Sequence, residues 1–214
     1  MTVLHDTPET PAATLLLAHG AGAPMDSDFM NTMADLLREQ GIAVVRFEFP
    51  YMKRRRETGR KSPPDRAPVL LECFREQLDA LDRPERILIG GKSLGGRMAS
   101  MLATEARVAG VVCLGYPFHP PGKPERTRVD HLPDLLAPML VCQGERDPLG
   151  NRDEVEGYEL PDRVRLNWLP DGDHDLKPRK KSGFSHEDNL TEAARTVAAF
   201  CRERSDKAGL QAVP

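Results

Sequence analysis

The sequence predicts a three-layered α/β fold: a mostly parallel sheet of about six to seven strands with helices on both faces and no lid domain. Three observations predict it. Short apolar runs rich in branched residues recur along the chain, helical repeats lie between them, and the connections are long enough for crossovers. The runs fall at 14–19, 42–49, 86–91, 110–116, 139–143 and 164–169. These read as buried strands. Between the first two, Phe29, Met33, Leu36 and Leu37 recur at three- and four-residue spacing over 28–40, and Gly41 follows as a stop. A second helix over 68–81 presents Leu70, Leu71, Phe74, Leu78 and Leu81 before Pro84; a third runs from Leu94 to about Glu105, and a last one spans 187–204. Residues 1–204 are expected to form one domain and 205–214 a flexible tail.

Composition agrees with a globular domain. A chain of 214 residues buries roughly 70% of its unfolded surface, enough for one core. The 30 basic and 33 acidic groups nearly cancel, to a net charge of −3, and aromatics make up only 5%. Both facts argue against a nucleic-acid protein. The longest apolar stretches, such as 14–18 and 110–114, fall far short of the roughly 20 residues of a membrane span. The first residues carry Asp6 and Glu9 and lack the basic start and apolar stretch of a secretory signal, so a cytoplasmic location is expected. Cys73, Cys113, Cys142 and Cys201 lie far apart in apolar segments with no CxxC pair, which reads as reduced core residues.

The chemistry-bearing signal lies at the junction of the third apolar run and the following helix. Gly91-Lys92-Ser93-Leu94-Gly95 is a G-x-S-x-G pattern between a strand and a helix. Such a turn thrusts Ser93 outward in a strained conformation, and the flanking positions must lack side chains to avoid a clash. The amide of Leu94 then lies at the positive end of a helix dipole, where it can receive a developing oxyanion. A phosphate-binding loop is excluded, because the glycine it needs five residues before Gly91 is Arg86, at the head of an apolar strand.

An elbow serine needs a base, and the base a carboxylate to orient it. After the run 139–143 comes Gly144-Glu-Arg-Asp147-Pro, which makes Asp147 the candidate acid with Glu145 as competitor. After the run 164–169 comes Pro170-Asp-Gly-Asp-His174, which makes His174 the candidate base with His186 as the fallback. Order and strand-end position suit a Ser, acid, His triad. The loop His19-Gly20-Ala21-Gly22-Ala23-Pro24 can supply a second oxyanion donor, Ala21, with Gly22 as the alternative. The acids around His174 do not spell a calcium loop, since Leu176 and Ser182 stand where glycine and glutamate are needed, and zinc would want further Cys or His; no metal and no cofactor is expected.

HGAGAP, RFEFPYM, GGKSLGGRMAS, QGERDPLG and DGDHDLKPRKKSG, in that order, make residues 14–204 resemble the small alpha/beta-hydrolase family proteins akin to dienelactone hydrolases. The resemblance extends to a testis-expressed protein and a histone-acetyltransferase-complex subunit. It implies the α/β-hydrolase fold with Ser93, Asp147 and His174 as triad. Serine stands where dienelactone hydrolases have cysteine, so their substrate is not carried over.

Two basic clusters are expected on the catalytic rim: Lys53, Arg54, Arg55, Arg56, Arg60 and Lys61 after the second strand, and Lys177, Arg179, Lys180 and Lys181 past His174. Lys53, Arg54, Arg55, Arg56, Lys92, Lys177 and Arg179 are accordingly candidate contacts for an anionic substrate. The predicted function is acyl transfer from a small-molecule carboxylic ester or thioester. The rival class is a catalytically silent module that binds an acidic partner through the same basic rim.

Overall fold

A computed structural model describes residues 3–210. Its strands are β1 (Val3–Asp6), β2 (Ala13–Ala18), β3 (Ile42–Phe47), β4 (Leu88–Lys92), β5 (Gly110–Leu114), β6 (Met139–Gly144) and β7 (Val164–Leu169). Its helices are α1 (Asp28–Glu39), α2 (Pro50–Thr58), α3 (Ala67–Asp79), α4 (Leu94–Leu102), α5 (Arg152–Glu156) and α6 (His186–Leu210). The strands form one sheet in the order β1-β3-β2-β4-β5-β6-β7. All neighbours are parallel except β1, which runs antiparallel to β3.

The buried strands divide their side chains between two cores. In β2, Leu16 and Ala18 face one layer with Leu70 and Phe74 of α3 and Met98 and Leu102 of α4. Leu15 and Leu17 face the other, with Met30, Met33 and Leu37 of α1 and Val197 and Cys201 of α6. Each fully buried leucine contributes about 1.5–3 kcal/mol relative to an exposed one, so a shift of β2 by one residue would exchange both layers at once.

Three differences from the sequence-based expectation have local causes. The four residues of β1 are too few for a periodic signal; Arg46 of β3 anchors them by gripping Asp6 with Nε at 2.9 Å and Nη2 at 3.1 Å. The basic run after β3 is not an open loop but the helix α2, begun by Pro50 at its first turn and closed by Gly59 in the left-handed region, with Tyr51 and Met52 buried. The last helix runs on to Leu210, with Ala208 packed against the core, so residues 205–210 are helical rather than a flexible tail; residues 211–214 lie outside the described residues.

The strand order also locates a crevice. The chain leaves β2 toward β3 on one side and leaves β4 toward β5 on the other, so the loops after β2 and β4 diverge at the carboxyl edge of the sheet. Open α/β sheets place their ligands at such a switch point.

Candidate active site

Ser93 sits in that crevice, as the residue that caps α4. Its backbone lies at φ 52° and ψ −112°, a region that costs a non-glycine residue on the order of 1–3 kcal/mol. The neighbouring glycines make the turn sterically possible. A Cβ on Gly91 would stand 2.4 Å from the carbonyl carbon of Gly95 and 2.7 Å from Ala18 O, and one on Gly95 would stand 2.6 Å from Ala18 O. The elbow is thus pressed against the end of β2, which leaves the Ser93 hydroxyl directed outward.

Ser93, His174 and Asp147 are hydrogen-bonded in one line. Ser93 Oγ is 2.8 Å from His174 Nε2, and His174 Nδ1 is 2.7 Å from Asp147 Oδ2. The buried Asp147 carboxylate can only accept, so Nδ1 carries the proton and Nε2 is left to accept from the serine. Leu149 N donates to Asp147 Oδ1 at 2.8 Å and Gln143 Nε2 to Oδ2 at 2.9 Å, which holds the carboxylate in its plane. Gln143 was not singled out from the sequence, since one amide inside an apolar strand carries no pattern. The competing groups are engaged elsewhere. Glu145 Oε2 accepts Asp171 N at 2.9 Å, and His186 Nε2 meets Asp175 O at 2.9 Å.

A cleft of about 410 Å³ opens over Ser93 and His174. Ala23, Phe29, Met30 and Leu149 give it apolar walls, and Gly20, Ala21 and Gly22 form its floor. Ala21 therefore lies beside the serine. Leu94 occupies the first position of α4, whose N–H has no acceptor within the helix.

Lys92 is the one residue of the seven candidate substrate contacts that lines this cleft. Its ammonium is buried, donating to His174 O at 2.7 Å and pairing with Asp175 Oδ1 at 3.1 Å, above the Phe29 ring. Burial pushes its pKa below the usual lysine value, against the pull of Asp175. The other six are not brought to the serine. Arg54 pairs with Asp65 at 2.5 Å, Arg55 donates to Ser62 O and Ala21 O, and Arg56 grips the buried Glu48 at 2.8 Å and 2.9 Å as well as Asp26. Lys53 borders a separate hollow with Glu48 and Glu57. Lys177 is solvated, and Arg179 is bound to Asp171, whose carboxyl it and Arg146 hold down at about 2. On α2 the arginines stay partly exposed while they pair with groups of their own chain, Arg56 reaching the buried Glu48.

Residues 11–202 match the model of the alpha/beta hydrolase domain family. The chain belongs to that family. Among solved structures, this alpha/beta hydrolase is similar to an alpha-beta serine hydrolase homologue from Coxiella burnetii, at 18% identity and a TM-score of 0.68 over 92% of this chain and 89% of that one. It is similar also to a lidless a/b serine hydrolase from Xanthomonas campestris, at 22% identity and a TM-score of 0.65 over 91% and 88%. A dienelactone hydrolase from Anabaena variabilis matches at 22% identity and a TM-score of 0.64 over 91% and 87%. At such identities the likeness carries the fold. The family supports a hydrolase, and the local geometry carries what can be said of the reaction.

Proposed function

We propose that this alpha/beta hydrolase is a serine hydrolase that transfers an acyl group from a small carboxylic ester or thioester to water. The observation that carries the reading is the unbroken line from buried Asp147 through His174 to Ser93, ending on a hydroxyl held at positive φ at the head of α4.

In the first step Ser93 Oγ attacks the carbonyl carbon while His174 Nε2 takes its proton, and Asp147 stabilises the imidazolium that results. The amides of Leu94 and Ala21 receive the oxyanion; one such donor is worth on the order of 10² to 10³ in turnover. The tetrahedral species collapses by breaking the bond to the alcohol or thiol, which leaves with the proton from His174. Water, deprotonated by the same imidazole, then releases the acid and restores Ser93. The steps draw on protein groups and water. The apolar walls of the cleft suit an acyl group of modest size. An anionic substrate would meet Lys92 already paired with Asp175.

One sheet supplies all three members of the line, which supports residues 1–204 acting as one domain. Four free, buried cysteines fit a reducing compartment, and a cytoplasmic setting belongs to the same proposal. A fluorophosphonate probe tests it. The wild-type protein is expected to be labelled and to hydrolyse members of a panel of short acyl esters and thioesters, and Ser93→Ala to do neither. A wild-type protein that resists the probe and turns over no ester would overturn the reading.

A further inference from the structure

We propose that Tyr51 and Arg55, both on α2, are positioning residues that aim the oxyanion-binding amide of Ala21, and that of Gly22 beside it, into the cleft. The inference rests on the serine-hydrolase reading and deepens it by naming what holds the glycine loop in its working shape.

The geometry follows from the planarity of the peptide bond. No described peptide bond is cis, so in each unit the N–H points opposite to the C=O. Whatever grips the carbonyl of one residue therefore aims the amide of the next. Gly20 O receives His19 Nδ1–H at 2.7 Å and lies 3.1 Å from the Tyr51 hydroxyl. Ala21 O lies 3.2 Å from that same hydroxyl and accepts from Arg55 Nη1 at 3.2 Å. The single Tyr51 proton thus spans two successive carbonyl oxygens, and Arg55 adds a charge-assisted donor to the second. Both carbonyls are drawn toward α2. The amides on their far sides, those of Ala21 and Gly22, are turned away from α2, and both residues line the cleft with Ser93. The loop passes close to the nucleophile, since a Cβ on Gly20 would stand 3.8 Å from Ser93 Cβ.

The clamp is itself held. Phe49 N donates to His19 Nε2 at 3.1 Å, so that nitrogen is bare and the ring proton sits on Nδ1, where Gly20 O receives it. Burial lowers the His19 pKa and favours this neutral form. The Tyr51 ring is fully buried, meets the His19 ring edge-on at 5.7 Å and carries the Arg55 guanidinium over its face at 5.0 Å. Glycine-rich backbone has little preference of its own, and nothing stands within 4 Å of a Cβ built on Gly22. An oxyanion site works because its donors are fixed before the charge develops. Here that fixing comes from side chains of α2 together with His19 at the head of the loop.

The test compares wild type with Tyr51→Phe, with Tyr51→Phe/Arg55→Met and with Arg55→Lys, which keeps the charge while changing the reach. Three quantities are read: kcat and KM on an accepted ester, inhibition by a boronic acid that mimics the tetrahedral state, and backbone order parameters of Ala21 and Gly22 from nitrogen-15 relaxation. Tyr51→Phe is expected to lose about tenfold in kcat and the double variant about 100-fold, with KM within about twofold and boronate affinity weakened by the same factor as kcat. The order parameters of both amides should fall from the rigid range near 0.85 toward about 0.6. Wild-type kcat and boronate affinity in the double variant overturn the proposal, as does a rise in KM with kcat unchanged. The two readings fail separately. A wild-type protein that resists fluorophosphonate removes the enzyme, whereas unchanged order parameters in the double variant remove the clamp whatever the activity. If the double variant does not fold, Tyr51→Phe and Arg55→Lys decide by the same readouts.

Discussion

Gln143 donates through Nε2 to Asp147 Oδ2 at 2.9 Å, the same carboxylate oxygen that meets His174 Nδ1 at 2.7 Å. The glutamine does more than hold the acid. Its Oε1 accepts Tyr116 N at 2.7 Å, and its Nε2 also lies near Tyr116 O at 3.1 Å and Gly150 O at 3.0 Å. One buried amide thereby ties the exit of β5 to the loop that carries the acid. Gln143→Leu would strand Tyr116 N–H, its carbonyl and one lone pair of Asp147 in the interior. The expected loss is about 1–3 kcal/mol per stranded group in urea unfolding. A fall of about tenfold in kcat with KM retained is expected alongside it, because the imidazole loses orientation rather than substrate contact. Unchanged kcat would mean that Asp147 is held well enough by Leu149 N and the turn around it.

The strained backbone at Ser93 leads to a stability ordering that is independent of any substrate. Ser93→Ala keeps a Cβ at φ 52°, whereas Ser93→Gly removes it. The gain from relieved strain, on the order of 1–3 kcal/mol, exceeds the extra chain entropy that glycine loses on folding, roughly 0.5–1 kcal/mol. Ser93→Gly should therefore be more stable than Ser93→Ala by about 1 kcal/mol in chemical denaturation, with both variants inert to fluorophosphonate. The reverse order would show that the elbow stores no strain.

What was legible in the sequence, and what was not, divides along physical lines. Five strands announced themselves because strands in the middle of a sheet are buried and largely apolar, and β7, half-exposed with Arg165 and Asn167, showed through Val164, Leu166, Trp168 and Leu169. Ser93, Asp147 and His174 were legible because a tight elbow demands glycines at fixed offsets and because each residue follows the end of an apolar run, in the order serine, acid, histidine. Asp147 was preferred over Glu145 because Pro148 can fix its turn, and His174 over His186 because His186 opens the last helix; the fold adds that Glu145 is engaged by the backbone amide of Asp171, 26 residues away in sequence. Gln143 stayed invisible because a single polar side chain in an apolar run has no period. Arg55 and Arg56 were read outward because a charge run is ordinarily solvated. Only the fold reveals that Glu48 is buried and that the carbonyl of Ala21 faces them.

The pairing of these cations bears on salt dependence. A cleft lined by uncompensated cations would concentrate anionic esters and lose them as salt screens the field. Here Lys92 is balanced by Asp175, and the arginines of α2 are bound to acids and carbonyls of the chain. The kcat/KM values for a neutral ester and for its carboxylate-bearing analogue should both change less than about twofold between roughly 0.01 and 0.3 M salt. A several-fold fall confined to the anionic ester would restore the basic rim. Lys92→Met leaves His174 O and Asp175 without their buried partner, so it should lower kcat and melting temperature together for either ester.

Stability should respond to pH in two separate windows. His19 and His131 both have pKa values lowered from 6.5, chiefly by burial. His19 must stay neutral to accept from Phe49 N, while His131 Nε2 shares a 2.8 Å contact with Ser100 Oγ, which donates to Arg97 O. Around His19, Glu48 favours its charged form while Arg55 and Arg56 oppose it. A histidine with a depressed native pKa binds its proton first in the unfolded chain. Its contribution is full above pH 6.5 and declines as pH falls from there toward the native value. The carboxyls of Asp171 and Glu203 are held down to about 2, the first chiefly by its hydrogen bond with Arg179 and the second by that with Arg165. Their contributions persist until pH drops below the ordinary values of 3.8 and 4.5, and vanish toward pH 2. Urea midpoints measured from pH 8 to pH 2 should accordingly show a first decline below about 6.5 and a second below about 4.5. His131→Gln, whose amide can still donate to Ser100, should shrink the first decline and leave the second untouched. A profile flat between pH 7 and pH 5 would mean that neither imidazole is held neutral by its surroundings.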